Sequence, residues 1–251
     1  MNAALIEVIG RGSDGTIHRA VSPDRPEPFA VKIFAREADP AFLDRLARQV
    51  ALSRRLAHPG LVALWDTGVR DGHPYLSMEL VDGPTLKTAL ATAPFAPSRC
   101  AAIAAALAET LAALHAAGVV HRDVKPGNII LRDGEKPVLL DLCAAALDPS
   151  DRAPGTDLVG SPAYLAPEVI DDLPSDGRAD VFSLGVILYQ MLTGRRPFDG
   201  TVDQVIDAIR HADPPPAGVG AAWEDLIRRV LAKRPDVRPV AAAIARLVPG
   251  A

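Results

Sequence analysis

The chain has 251 residues, of which 49% are hydrophobic, 23% charged and 4% aromatic, with a formal net charge of -4. That length admits one large domain or two lobes, and the slight acidity leaves no electrostatic footprint for nucleic acid. Two cysteines, Cys100 and Cys143, supply neither a disulfide framework nor zinc-ligand spacing, which fits a reducing, cytoplasmic setting. No uninterrupted apolar run approaches the ~18 residues of a membrane span, and the start MNAALIEVIG lacks the charged head and long apolar core of a signal peptide.

In chain order, ALIEVIG and TIHRAVS are short runs of β-formers joined by the turn RGSDG. PFAVKIF reads as a third strand, bracketed by Pro28 and the polar stretch READP. From Ala41 to Leu56 the period becomes helical, with Phe42, Leu46, Val50 and Ser53 in register and HPG at 58–60 as the stop. LVALWDTG and HPYLSMEL return to strand around the turn VRDG. After Asp82-Gly83-Pro84 helices dominate. Ser98 is the expected N-cap and Gly118 the expected C-cap of a helix whose Ile103, Leu107, Leu111 and Leu114 share one face.

Val181 to Leu192 is apolar on nearly every side, so a fully buried helix is expected there, ended by Gly194. Pro214 to Pro216 mark a connector, and Trp223 to Leu231 another amphipathic helix. No repeat or low-complexity tail interrupts the chain. The pattern gives an α+β protein, one domain over 1–251, with a β-rich lobe at 1–80, a hinge at 79–84 and a helical lobe at 85–251. Two lobes imply a cleft, and clefts are preferred ligand sites.

Four features carry chemistry. Gly10, Gly12 and Gly15 form G-x-G-x-x-G between two strands rather than between strand and helix, which separates the pattern from a dinucleotide fingerprint. Glycines there let backbone amides approach a phosphate, and the same glycines equally make a tight turn. Lys32, inside the apolar AVKIF, fits either a phosphate-neutralising cation or a solvent-facing residue of an edge strand. Asp141, at the end of the apolar VLLD, fits a metal ligand or a strand-end cap. HRDVKPGN, His121 to Asn128, is the specific signal. It sets an acid to accept a hydroxyl proton, a lysine to screen a transferring phosphoryl group and an amide to hold a metal within a few positions of each other.

Taken together, the motifs resemble those of a Ser/Thr protein kinase of the eukaryotic-like kind found in bacteria. IGRGSDGTI resembles the nucleotide-covering loop, AVKI the strand with the phosphate-binding lysine, and HRDVKPGN the catalytic loop. VLLDLC stands where the metal-binding DFG belongs, GSPAYLAPE (160–168) resembles the close of the activation loop, and DVFSLGVILYQMLTG the buried central helix led by Asp180. The motifs come in family order along essentially the whole chain, which implies a bilobal protein-kinase-like fold.

The resemblance implies ATP as cosubstrate and Mg²⁺, with Mn²⁺ as a substitute, as the metal. Lys32 would hold the α/β-phosphates, Asn128 and Asp141 the metal ions, Asp123 would orient the substrate hydroxyl and accept its proton, and Lys125 would contact the γ-phosphate. Ile9, Ile17, Ala30 and Ile130 would sandwich adenine, with Met78 as gatekeeper and the backbone of Glu79 and Val81 on the base edge. Glu168 would pair with Arg238 from DVRP. Ser161 would hydrogen-bond Asp123. Arg122 before the catalytic acid implies control by activation-loop phosphorylation, with Ser150, Thr156 and Ser161 as acceptors and Thr156 in the exposed-looking PGTDLVG.

Two positions depart from the family pattern. Gln49 stands nine residues before His58, where the family carries the glutamate that pairs with the strand lysine, and 41–57 contains no glutamate. A neutral partner gives up about 1–2 kcal/mol against a charge-assisted bond, roughly one decade of rate. Cys143 replaces the DFG glycine, where a Cβ costs ~1–2 kcal/mol if φ is positive. Its thiol reads as a small buried apolar group or as a redox-sensitive group near the metal.

These departures keep a nucleotide-binding pseudokinase as the alternative to an active enzyme. A small-molecule phosphotransferase is the third reading, and GSPAYLAPE with Arg238 argues against it. The acids Asp171, Asp172 and Asp176 fit either a preference for basic substrates or a solvated loop. With no span or sensor segment recognised, input is expected through an activating partner protein, and a protein bearing Ser or Thr is the expected substrate. Nothing in the sequence fixes the oligomeric state.

Overall fold

The computed structural model describes residues 3–12, 14–92, 94–142 and 162–250. Its chain divides into two compact units, Met1–Asp82 and Gly83–Ala251, a boundary inside the 79–84 stretch. The first unit is a five-stranded antiparallel sheet in the order β1-β2-β3-β5-β4. Its strands are β1 (Ala4–Gly12), β2 (Gly15–Ser22), β3 (Arg25–Phe34), β4 (Leu64–Arg70) and β5 (His73–Met78), with helix α1 (Pro40–Leu56) between β3 and β4. Ala20, Phe29, Val31 and Tyr75 form a buried cluster on the sheet, with Trp65 tilted against Phe29 at a centroid distance of 5.9 Å.

Strand β3 begins earlier than expected and runs through Pro26 and Pro28. Proline cannot donate to a ladder. These two lie where the pairing with β2 is irregular, between Ser22↔Arg25 and Ala20↔Phe29, and before pairing with β5 starts at Ala30. The missing N–H groups are therefore not called for, and Pro28 does not bracket the strand.

Helix α1 starts one residue before the expected Ala41, at Pro40, because the carboxylate of Asp39 caps it by accepting from the N–H of Phe42. Its inward face carries Phe42, Leu46, Gln49, Val50, Leu52 and Ser53, and Phe42 meets Phe34 edge-on at 4.9 Å.

The second unit is mainly helical and carries a short hairpin. It comprises α2 (Leu86–Leu90), α3 (Pro97–Ala116), hairpin strands β6 (Ile129–Arg132) and β7 (Lys136–Leu139), then α4 (Pro167–Ile170), α5 (Arg178–Thr193), α6 (Val202–His211), α7 (Ala221–Val230) and α8 (Ala241–Leu247). Helix α5 is buried along Ala179–Leu192 except at Gln190, as its all-round apolarity requires, and packs on α3 and α7.

At the N-terminus of α3 the expectation fails. Ala96 is the N-cap with Pro97 as first helical residue, so Ser98 lies inside the helix and no side chain caps it. At the other end the expectation is one residue off: Ala117 caps and Gly118 follows at φ 75. Gly118 N–H donates to His115 O and Val119 N–H to Leu114 O, both at 3.0 Å, the paired bonds of a Schellman end.

On length and composition α3 is also, among the described residues, a helix able to cross a membrane, with mean hydropathy 1.3, where uninterrupted apolar runs had given no candidate. Half of that window is buried inside the protein, through Ile103, Leu107, Leu111 and Leu114 among others, and α3 packs against α5, α8 and β7.

Candidate active site

In the first unit the glycine pattern forms the β1–β2 hairpin, with Gly12 paired to Gly15. The three glycines are not equivalent. A Cβ on Gly15, at φ +149, would sit 2.0 Å from the carbonyl oxygen of Ile33, so the approach of β3 alone requires glycine there. At Gly10 a Cβ would make only ordinary contact with Ile17, and at Gly12 it would meet nothing within 4 Å. The fold itself thus leaves open space over Gly12, which suits a backbone that must admit an outside group such as a phosphate.

Lys32 lies on β3, paired with Ile17 on one side and Leu76 on the other. It is therefore on a central strand, and the edge-strand alternative falls. Its side chain is buried, with Nζ 3.9 Å from Asp14 and 4.9 Å from the ring centroid of Phe34. Gln49 is buried on α1 at 4% exposure. Of the proposed adenine contacts in this unit, Ala30 and Val81 are buried, Ile17, Met78 and Glu79 partly buried and Ile9 exposed. The N–H of Glu79 is committed to Ala63 O at 2.9 Å, so its backbone can meet a base edge only through the carbonyl.

In the second unit the loop His121–Asn128 is held from below by one carboxylate. Asp180, on α5 and fully buried, accepts from the N–H of His121 (Oδ2, 2.8 Å) and the N–H of Arg122 (Oδ1, 2.8 Å). It also accepts from His115 Nε2 (Oδ2, 2.8 Å). A buried carboxylate is tolerated because its oxygens are so occupied. Arg122 sits at φ 65, a conformation that costs a side-chain-bearing residue about 1–2 kcal/mol and that the two amide bonds to Asp180 hold in place.

His121 is fully buried, and its Nδ1 accepts from the N–H of Asp123 at 3.2 Å. Its proton is thereby on Nε2, which donates to Leu140 O at 3.0 Å. One ring ties the catalytic loop to the end of β7.

The functional side chains meet on this frame. Lys125 Nζ donates to both oxygens of Asp123, at 2.8 and 2.7 Å. Asn128 Nδ2 donates to Asp123 O at 3.0 Å and to Asp123 Oδ2 at 2.7 Å. With its nitrogen so used, Asn128 presents Oδ1 as an acceptor, the end that can hold a metal. Asn128 ends the 3-10 turn Pro126–Asn128, and Leu140 N–H donates to its carbonyl at 2.8 Å, tying it to the chain that delivers Asp141.

Asp141 follows β7 at φ 59, partly buried, and Leu142 after it is fully buried. Among the described residues no group of three or more His, Cys, Asp or Glu could hold a metal. An amide oxygen plus one carboxylate suits a hard ion such as Mg²⁺, which keeps waters and takes phosphate oxygens as its other ligands. Ile130, on β6 and partly buried, bridges to Thr85.

Glu168 and Arg238 form a buried bidentate pair at 2.6 and 2.8 Å. The remaining N–H groups of Arg238 go to Ala232 O, Arg178 O and Lys233 O, so the whole fork is used. The acids offered as a basic-substrate determinant are largely occupied at home: Asp171 binds Arg210 at 2.5 Å and Asp176 binds Arg178 at 2.6 Å. Cys143, Ser150, Thr156 and Ser161 lie outside the described residues. Cys100 is buried, and burial pushes its thiol up to about 11.

His115 had no place in the motif reading. Its partner lies 65 positions away. The signal that could have found it is a histidine in the last turn of a mostly apolar helix, six residues before the loop.

The protein kinase domain family matches residues 4–247, and the chain belongs to that family. It is 37% identical to the serine/threonine-protein kinase PkaA of Streptomyces coelicolor, over 96% of this chain and 48% of that protein. It is 34% identical to PknE of Mycobacterium tuberculosis over 94% of this chain and 43% of that one, and 35% identical to Pkn1 of Myxococcus xanthus over 93% and 36%. The chain thus spans less than half the length of these curated serine/threonine-protein kinases.

Proposed function

We propose that this chain transfers the γ-phosphoryl group of ATP to serine and threonine hydroxyls of proteins, itself included. The observation that carries the reading is the Asp123–Lys125–Asn128 cluster, fixed on Asp180 and His121. A divalent ion, Mg²⁺ or Mn²⁺, would neutralise phosphate charge, with Asn128 Oδ1 and the Asp141 carboxylate as its protein ligands.

Asp123 orients the attacking hydroxyl and takes its proton. Lys125, which chelates Asp123 in this structure, turns its ammonium to the transferring phosphoryl group, and Lys32 is assigned to the α/β-phosphates. The open space over Gly12 and the occupied nitrogen of Asn128 both support a nucleotide and a metal as the partners of these groups.

The pseudokinase alternative rested on Gln49 and Cys143. Kinase names on several relatives at 34–37% identity support the active reading instead. An activating partner protein remains part of the proposal, as a source of the first activating phosphate. The test is incubation with ATP, Mg²⁺ and a mixture of unstructured Ser/Thr peptides, followed by phosphoamino-acid analysis. Phosphoserine and phosphothreonine are expected. Nucleotide binding without any transfer, also after pre-phosphorylation by an active relative, would sink the reading.

A further inference from the structure

The hairpin of Gly10, Gly12 and Gly15 also carries an acid to which the motif reading gives no task. Asp14, at the turn, places its carboxylate 3.9 Å from Lys32 Nζ. Lys32 is the buried cation assigned above to the α/β-phosphates. A negative charge therefore stands beside the group that a phosphate must reach.

The backbone holds that carboxylate in place. The N–H of Ala35 donates to Asp14 O at 2.8 Å, and Gly15 lies opposite Phe34 at the end of β3. A Cβ on Gly15 would sit 2.0 Å from Ile33 O, so the turn already lies as close to β3 as a backbone allows. Lys32 and Phe34 share one face of that strand, with Nζ 4.9 Å from the ring centroid. Arg11, the hairpin's own cation, is exposed and makes no ion pair with Asp14 among the described residues.

We propose that Asp14 sets which form of the nucleotide the site accepts, disfavouring free ATP and selecting its metal complex. The inference rests on the reading that Lys32 meets the α/β-phosphates. Asp14 acts on an incoming phosphate in two ways. It already engages part of the ammonium's charge, and it repels the phosphate oxygens directly. Both effects grow with the negative charge of the ligand. A divalent ion on the phosphates cancels much of that charge, so the complex is penalised least. Adenosine, which has no phosphate, is indifferent to Asp14.

The Asp14 side chain is 67% exposed, so its effect has the size of a surface ion pair, up to about fivefold for each unit of ligand charge. Open space over Gly12 lets a phosphate approach the same hairpin, which keeps the carboxylate within range of the bound nucleotide.

The test is calorimetric titration of the full chain with ATP in EDTA, ATP in saturating Mg²⁺, and adenosine. Wild type, Asp14→Asn and Asp14→Glu are compared. Asp14→Asn is expected to tighten free ATP roughly fivefold or more and Mg²⁺–ATP about twofold, with adenosine unchanged. Asp14→Glu keeps the charge and should keep the wild-type discrimination. The gain on free ATP should shrink between about 0.1 M and 1 M salt, as the screening length falls from ~10 Å to ~3 Å.

Unchanged affinity of Asp14→Asn for free ATP overturns the inference, and so does equal tightening of both nucleotide forms. Weaker binding of Mg²⁺–ATP by Asp14→Asn would make Asp14 a metal ligand and overturn it as well. The parent reading fails in a different way. Mg²⁺–ATP would then bind no more tightly than adenosine in the wild type and in Asp14→Asn alike, and the inference would fall with it.

Discussion

In the loop 121–128 almost every polar atom near the chemistry is spoken for: Asp180 holds two amides, His121 holds Asp123 N–H and Leu140 O, and Asp123 takes Lys125 and Asn128. In the Gly10–Gly15 hairpin the protein asks for little. Only Gly15 is required by a neighbouring backbone, and Gly12 faces open space. The loop is pre-organised by its own fold, as electrostatic catalysis demands, whereas Gly12 of the hairpin makes sense only with a ligand against it. Substitutions in the loop should therefore register in rate or in stability with no ligand present, and substitutions at Gly12 should register only in nucleotide binding.

The largest expected effect is Asp123→Asn, which keeps the size but removes the proton acceptor; kcat should fall about 10²–10⁴-fold with little change in KM for ATP. Next is Asp180→Asn. The amide nitrogen would face an N–H donor in a fully buried site, and removing one side of such a buried arrangement costs about 3–5 kcal/mol. Thermal unfolding should show that loss, and an unchanged Tm would break the claim that Asp180 holds the loop.

Gly15→Ala should destabilise the first unit by about 1–3 kcal/mol, since the methyl would lie 2.0 Å from Ile33 O. Gly12→Ala should stay within ~0.5 kcal/mol while weakening ATP binding, measured by titration. If the two alanine variants behave alike, the contrast within the hairpin is wrong. Smallest is Gln49→Glu, expected to raise the rate several-fold and at most about a decade. An unchanged or lower rate would mean that another group orients Lys32.

Much of this was legible in sequence because the motif residues are local. HRDVKPGN brings acid, lysine and amide together within one loop, and the structure joins all three on Asp123. The Glu168–Arg238 pair, implied by resemblance, forms across 70 positions. What stayed hidden depends on tertiary contact. Nothing in spacing could pair His115 with Asp180, or tell that Gly15 is demanded by β3 while Gly12 is not. Pro28 reads as bracketing the strand because the irregular pairing that spares its N–H position belongs to the register.

The most direct measurement is the intact mass of the protein after incubation with ATP and Mg²⁺, beside an Asp141→Asn variant. Phosphate added to the wild type and not to the variant is the expected result, and it would make Asp141 a working metal ligand in an active kinase. Equal phosphate on both proteins, or none on the wild type even after pre-phosphorylation by an active relative, would contradict the account.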